Sequence, residues 1–121
     1  LSYPLKLKVD KLRLISNPEA LQILKELSEK ERERFGEVSF IVQRVLEYLY
    51  KFNKVPIERA REFREKLESM GLREDSIVMI MNICPRTVDE LLVLLVNEER
   101  SLEKEQLEEI LKLVNEYCTG E

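Results

Sequence analysis

A chain of 121 residues, 44% of them hydrophobic, has room for one domain or one small domain plus an arm, with enough apolar mass for a real core. Charged residues make up 36%, 24 acidic against 20 basic, and the net charge of −4 excludes a protein that grips nucleic acid over its whole surface, since phosphate neutralisation takes clustered Lys and Arg. The absence of histidine removes the commonest general base and metal ligand, and no apolar run approaches the ~20 residues of a membrane span.

In chain order, the first fifteen residues stand apart from the rest. Leu5, Leu7 and Val9 alternate with Lys6, Lys8 and Asp10, the period of a strand with one buried face. Near Asp10 and Lys11 the phase slips, as at a bulge or turn, and Leu12 and Leu14 become the apolar positions. No second convincing strand follows. A strand alone leaves its backbone N–H and C=O groups unpaired and its apolar face uncovered. Two readings stay open on the residues alone: a short hairpin folded over this chain's own helices, or addition to a sheet in another chain.

From Ser16 the pattern turns helical. Asn17 is expected to cap the first helix, with Pro18 at its first position and Ala20, Leu21, Ile23, Leu24 and Leu27 as its core stripe. Ser39 caps a second helix, whose Ile41, Val42, Val45, Leu46, Leu49 and Phe52 follow the 3.6 period. Pro56 opens a third, striped by Ala60, Phe63, Leu67 and Met70 and stopped by Gly71. A short fourth helix over about 75–82 carries Ile77, Val78, Ile80 and Met81, so little polar surface that it belongs at the centre. Cys84-Pro85 ends it, and Thr87 with Glu90 makes a capping box for a fifth helix carrying Leu91, Leu92, Leu94 and Leu95. Ser101 is expected to begin the last helix, striped by Leu107, Ile110, Leu111, Val114 and Tyr117.

Little in this pattern carries chemistry. Cys84 and Cys118 are too few for a disulfide framework and lack metal-ligand spacing, so both read as reduced thiols of a cytoplasmic protein. The pairs Glu98-Glu99 and Glu108-Glu109 read as solvated faces, and the three glycines, Gly36, Gly71 and Gly120, as helix stops rather than a phosphate loop. Arg59, Arg61, Arg64 and Lys66, with Lys51 and Lys54 before them, form a weak nucleic-acid candidate. Glu58, Glu62, Glu65 and Glu68 interleave with them, and the preferred reading is a salt-bridged helix face with pairs such as Glu58–Arg61 and Glu62–Lys66. Tyr48, Tyr50 and Phe52 read as core and rim. The Glu-, Lys- and Arg-rich surface resembles that of hyperthermophile proteins.

The stretch Met81-Asn82-Ile83-Cys84-Pro85-Arg86-Thr87-Val88-Asp89-Glu90-Leu91 resembles the signature of a family of small RNA polymerase stalk subunits, the archaeal counterparts of the eukaryotic fourth subunit. In that family an apolar helix ends at a Pro, and an acidic cap and a Glu-Leu pair start the next; Ile83, Pro85, Thr87, Asp89, Glu90 and Leu91 are the matching residues here. Gln43 through Phe52 and Glu99 through Tyr117 resemble the family's second and last helices, so the likeness runs over about residues 16–117. Where the family often has a basic residue after the Glu-Leu pair, this chain has Leu92, and the N-terminal arm matches in character only.

The resemblance implies a mainly α fold: an HRDC-like helical domain over 36–121, and a partner-docking arm of strand and first helix over 1–35. It implies a non-catalytic, cofactor-free component of the DNA-directed RNA polymerase stalk. Such a protein forms a heterodimer with the larger stalk subunit, the counterpart of the eukaryotic seventh subunit. Through that partner it touches the polymerase core and assists initiation, elongation and termination. Under that reading the strand augments a sheet of the larger stalk subunit, with Leu5, Leu7, Val9, Leu12 and Leu14 as the partner-binding residues, and any RNA contact is weak. No membrane or small-molecule partner is expected. The alternatives are a stand-alone HRDC-like nucleic-acid-binding module and a helical adaptor for another protein.

Overall fold

The computed structural model describes residues 13–119, and local chemistry sets where its helices begin and end. Helix α1 (Asn17–Phe35) starts at Ser16, whose backbone N–H and hydroxyl donate to Glu19 Oε1 at 2.9 and 2.7 Å. Ser16 is therefore the cap rather than Asn17, and Pro18 takes the second helical position, where the first turn needs no N–H from it. The Asn17 N–H instead donates to Asn82 Oδ1 at 2.7 Å, tying α1 to the fourth helix. Gly36, at φ 78°, closes α1 by donating to Arg32 O, a left-handed turn that a side chain would strain.

Helix α2 (Phe40–Phe52) is capped by Ser39 as expected, its hydroxyl accepting from the Val42 N–H. Helix α3 (Ile57–Ser69) follows Pro56, and α4 (Glu74–Ile83) follows the turn at Gly71. Thr87 and Glu90 form the expected capping box of α5 (Val88–Leu94): the Glu90 N–H donates to Thr87 Oγ1 at 3.2 Å, and the Thr87 N–H to Glu90 Oε1 at 3.1 Å. Helix α6 (Lys104–Tyr117) begins three residues later than Ser101 would place it. Glu103 is its cap, donating its N–H to Gln106 Oε1.

The core is built from α3 to α6. Phe63 and Leu67 of α3, Ile80 and Met81 of α4, Leu91 of α5 and Ile110 of α6 are sealed from solvent, which puts the short apolar α4 at the centre as its composition requires. The Phe63 and Tyr117 rings stack with centroids 5.1 Å apart. Cys84 and Cys118 do not remain thiols; they form a disulfide joining the end of α4 to the end of α6. The expectation failed because the fold brings two Cα atoms 34 residues apart in sequence to 6.3 Å, inside the range a disulfide spans.

The first two helices stand outside this core. Helix α1 leans on α3 and α4 as well as α2, whereas α2 packs chiefly against α1. Leu21 is the buried member of the expected α1 stripe and Leu49 that of the α2 stripe; Ile23, Leu27, Ile41, Val45 and Phe52 are exposed. The described residues contain six helices and no strand; the predicted strand lies, as far as residue 12, outside them.

A bare apolar stripe and a buried arginine

Ile41, Val45, Tyr48 and Phe52 sit at i, i+4, i+7 and i+11 on α2, a spacing that lines them along one face of the helix. All four are exposed, Ile41 by 74% and Tyr48 by 58%. Tyr48 and Phe52 touch each other, with ring centroids 4.7 Å apart. The stripe runs on into a groove of about 380 Å³, where Tyr48 and Phe52 face Met79 and Ile83 of α4. Basic groups edge this face: Arg44 lies over the Phe40 ring at 4.9 Å, Lys51 over Phe52 at 5.5 Å, and Lys54 donates to the Ile83 carbonyl. Single exposed apolar residues are ordinary on a protein surface; a continuous row is the kind of surface on which another molecule docks.

The second constellation centres on Arg64, only 2% exposed. Arg64 falls among Ala60, Phe63 and Leu67, on the buried side of α3. Each guanidinium nitrogen finds a different carboxylate: Nη1 reaches Glu19 Oε1 at 2.7 Å, Nη2 reaches Glu74 Oε2 at 3.1 Å, and Nε reaches Glu68 Oε2 at 3.3 Å. One cation thereby links α1, α3 and α4. Burial works to raise the pKa of Glu19, but the Ser16 N–H, the Ser16 hydroxyl and the Arg64 charge outweigh it and hold the carboxyl below its ordinary value.

The basic patch weighed as a weak candidate on α3 thereby loses two of its members. Arg64 is inside, and Arg59 lies 4.1 Å over the Tyr117 ring while donating to the Glu116 carbonyl. Neither Glu58–Arg61 nor Glu62–Lys66 is among the ion pairs of the described residues; the α3 pair is Arg64–Glu68.

Among the expected partner-binding residues, Leu5, Leu7, Val9 and Leu12 lie outside the described residues. Leu14 is half exposed, and its backbone N–H donates to Glu74 Oε1 at 3.0 Å. Of the signature residues, Ile83 lines the groove at the end of the bare stripe, Pro85 and Leu91 are buried, Thr87 and Glu90 cap α5, and Asp89 is exposed in its first turn. The stripe itself had a sequence signal. Counting Ile41, Val42, Val45, Leu46, Tyr48, Leu49 and Phe52, α2 carries more apolar surface than one neighbouring helix can cover.

Among the described residues, a closed core of α3 to α6 beside an α2 face that stays apolar and exposed defines a class: a small helical bundle with a surface of the kind on which another molecule docks. The family model for RNA polymerase Rpb4 matches residues 14–118. The DNA-directed RNA polymerase subunit Rpo4 of Methanocaldococcus jannaschii is 36% identical over 86 residues, 71% of this chain and 72% of its own. The protein of the same name in Saccharolobus solfataricus is 29% identical over 85 residues, 69% and 75% of the two chains, and that of Sulfolobus acidocaldarius 28% over 83 residues, 68% and 73%. The chain belongs to the RNA polymerase Rpb4 family, as an archaeal counterpart of its members.

Proposed function

We propose that this chain is the small, non-catalytic stalk component of an archaeal-type DNA-directed RNA polymerase. It forms a heterodimer with the larger stalk subunit and, through it, assists initiation, elongation and termination. Family membership makes it a polymerase component; the observation that carries the pairing is the bare stripe Ile41, Val45, Tyr48 and Phe52 with its continuation onto Met79 and Ile83. In this reading the helices of residues 36–121 form the HRDC-like domain, and residues 1–35 form the docking arm, whose strand extends a sheet of the larger stalk subunit. The basic edge of Arg44, Lys51 and Lys54 suits an acidic rim on the partner.

Co-expression of the full chain with the larger archaeal stalk subunit tests this directly. A stoichiometric complex surviving size exclusion is the expected result. Two separate peaks, or a chain that instead binds RNA alone with strong salt dependence, would contradict it.

A further inference from the structure

The cluster around Arg64 does more than join helices, because two of its carboxylates also hold the start of the described chain. Arg13 Nη2 lies 3.3 Å from Glu68 Oε2, and its Nε 3.8 Å from Glu74 Oε2. Glu74 Oε1 accepts the Leu14 N–H at 3.0 Å, and the next residues run into Ser16, fixed to Glu19. Residues 13–16 thus have no helix of their own yet are held at three points, all on carboxylates that Arg64 organises.

An exposed ion pair such as Arg13–Glu68 contributes little to stability, since water screens it and two long side chains must be ordered. Its geometry matters for another reason. Arg64 is buried and makes three ion pairs, so Glu68 and Glu74 are held in place before Arg13 meets them. We infer that Arg64 is a positioning residue for partner docking: through Glu68 and Glu74 it anchors Arg13 and the Leu14 amide, fixing the point at which the chain leaves the bundle for the second subunit. This rests on the arm's role in the proposed function. Without the anchor residues 13–16 are held at fewer points, and apparent affinity falls by the fraction of molecules that remains competent.

The test uses the full chain and the larger stalk subunit, with affinity and association rate read for Arg13→Ala, for Glu68→Gln/Glu74→Gln, for the triple variant, and for Leu7→Asp on the arm. Arg13 is half exposed, so Arg13→Ala leaves the bundle folded whatever the carboxylate variant does. The expected result is about a tenfold loss of affinity for Arg13→Ala, carried by slower association, as when one molecule in ten or so is competent. The carboxylate pair should give a similar loss and the triple variant no more than either, because all remove one anchor. Additive losses would mean that Arg13 touches the partner itself and would overturn the inference, as would unchanged affinity in both variants. If Leu7→Asp weakens docking while the anchor variants do not, the inference fails alone; if Leu7→Asp is also neutral, the arm's role fails with it.

Discussion

Arg64 is the residue on which most of the bundle's electrostatics converge. Replacing it by Met keeps much of the packing and removes the charge. Glu68 and Glu74 are half exposed and keep Arg13 and water, but Glu19 is left partly enclosed without its cation. The expected cost is about 2 to 3 kcal/mol in urea unfolding, below the ~3–5 kcal/mol of a fully enclosed pair. Glu19 also makes a pH prediction. Its folded pKa lies below the ordinary 4.5, so its contribution is complete above that value and is lost as pH falls through the lowered folded value. Melting curves of the parent chain and Glu19→Gln should therefore differ at pH 7 and converge as pH falls below about 4.5. A gap that widened in acid would reverse the sign and contradict the assignment. The sequence reading put Arg64 on a solvated, salt-bridged face of α3, although its spacing from Ala60 and Leu67 sets it beside the buried stripe. Its partners were not legible, because Glu19 and Glu74 come from other helices and no local spacing joins them.

Among the elements, α4 and the turn after it combine what was legible with what was not. Thr87→Ala removes a cap whose three-residue spacing announced it, and should cost about 1 kcal/mol. Ile80→Asp puts a charge at a fully enclosed position and should cost several times more, enough to unfold the bundle; comparable melting temperatures for the two variants would contradict the central place of α4. The disulfide at the same turn joins cysteines 34 residues apart, so Cys118→Ser should lower stability by roughly 3–4 kcal/mol on the chain-entropy account. Denaturant melts of the parent chain with and without reductant check it, and identical midpoints would contradict it. Caps and glycine stops are written in three or four consecutive residues, which is why Ser39, Thr87, Gly36 and Gly71 could be read from the sequence. The cysteine pair could not, since it depends on where α6 crosses α4. Two cysteines with no motif spacing carry no pairing signal of their own, so the reading as reduced thiols failed.

For the molecule as a whole, periodicity revealed which positions are apolar but not whose core they complete. The stripes of α3, α4 and α6 turned inward, while only Leu21 and Leu49 of the α1 and α2 stripes are buried, because α2 has chiefly α1 to pack against. The candidate site was thus half legible: the apolar residues of the α2 face were in the sequence pattern and were read as core, and their exposure depends on which helices pack against α2, which no local pattern states. That face makes the central claim testable by one measurement, the affinity of an Ile41→Asp/Val45→Asp chain for the larger stalk subunit. Both positions are exposed, so the variant should keep its helicity and melting temperature. If the stripe is the docking surface, two buried charges should weaken binding at least a hundredfold, about 2.7 kcal/mol or more. A folded variant that binds this partner as tightly as the parent chain would contradict the account.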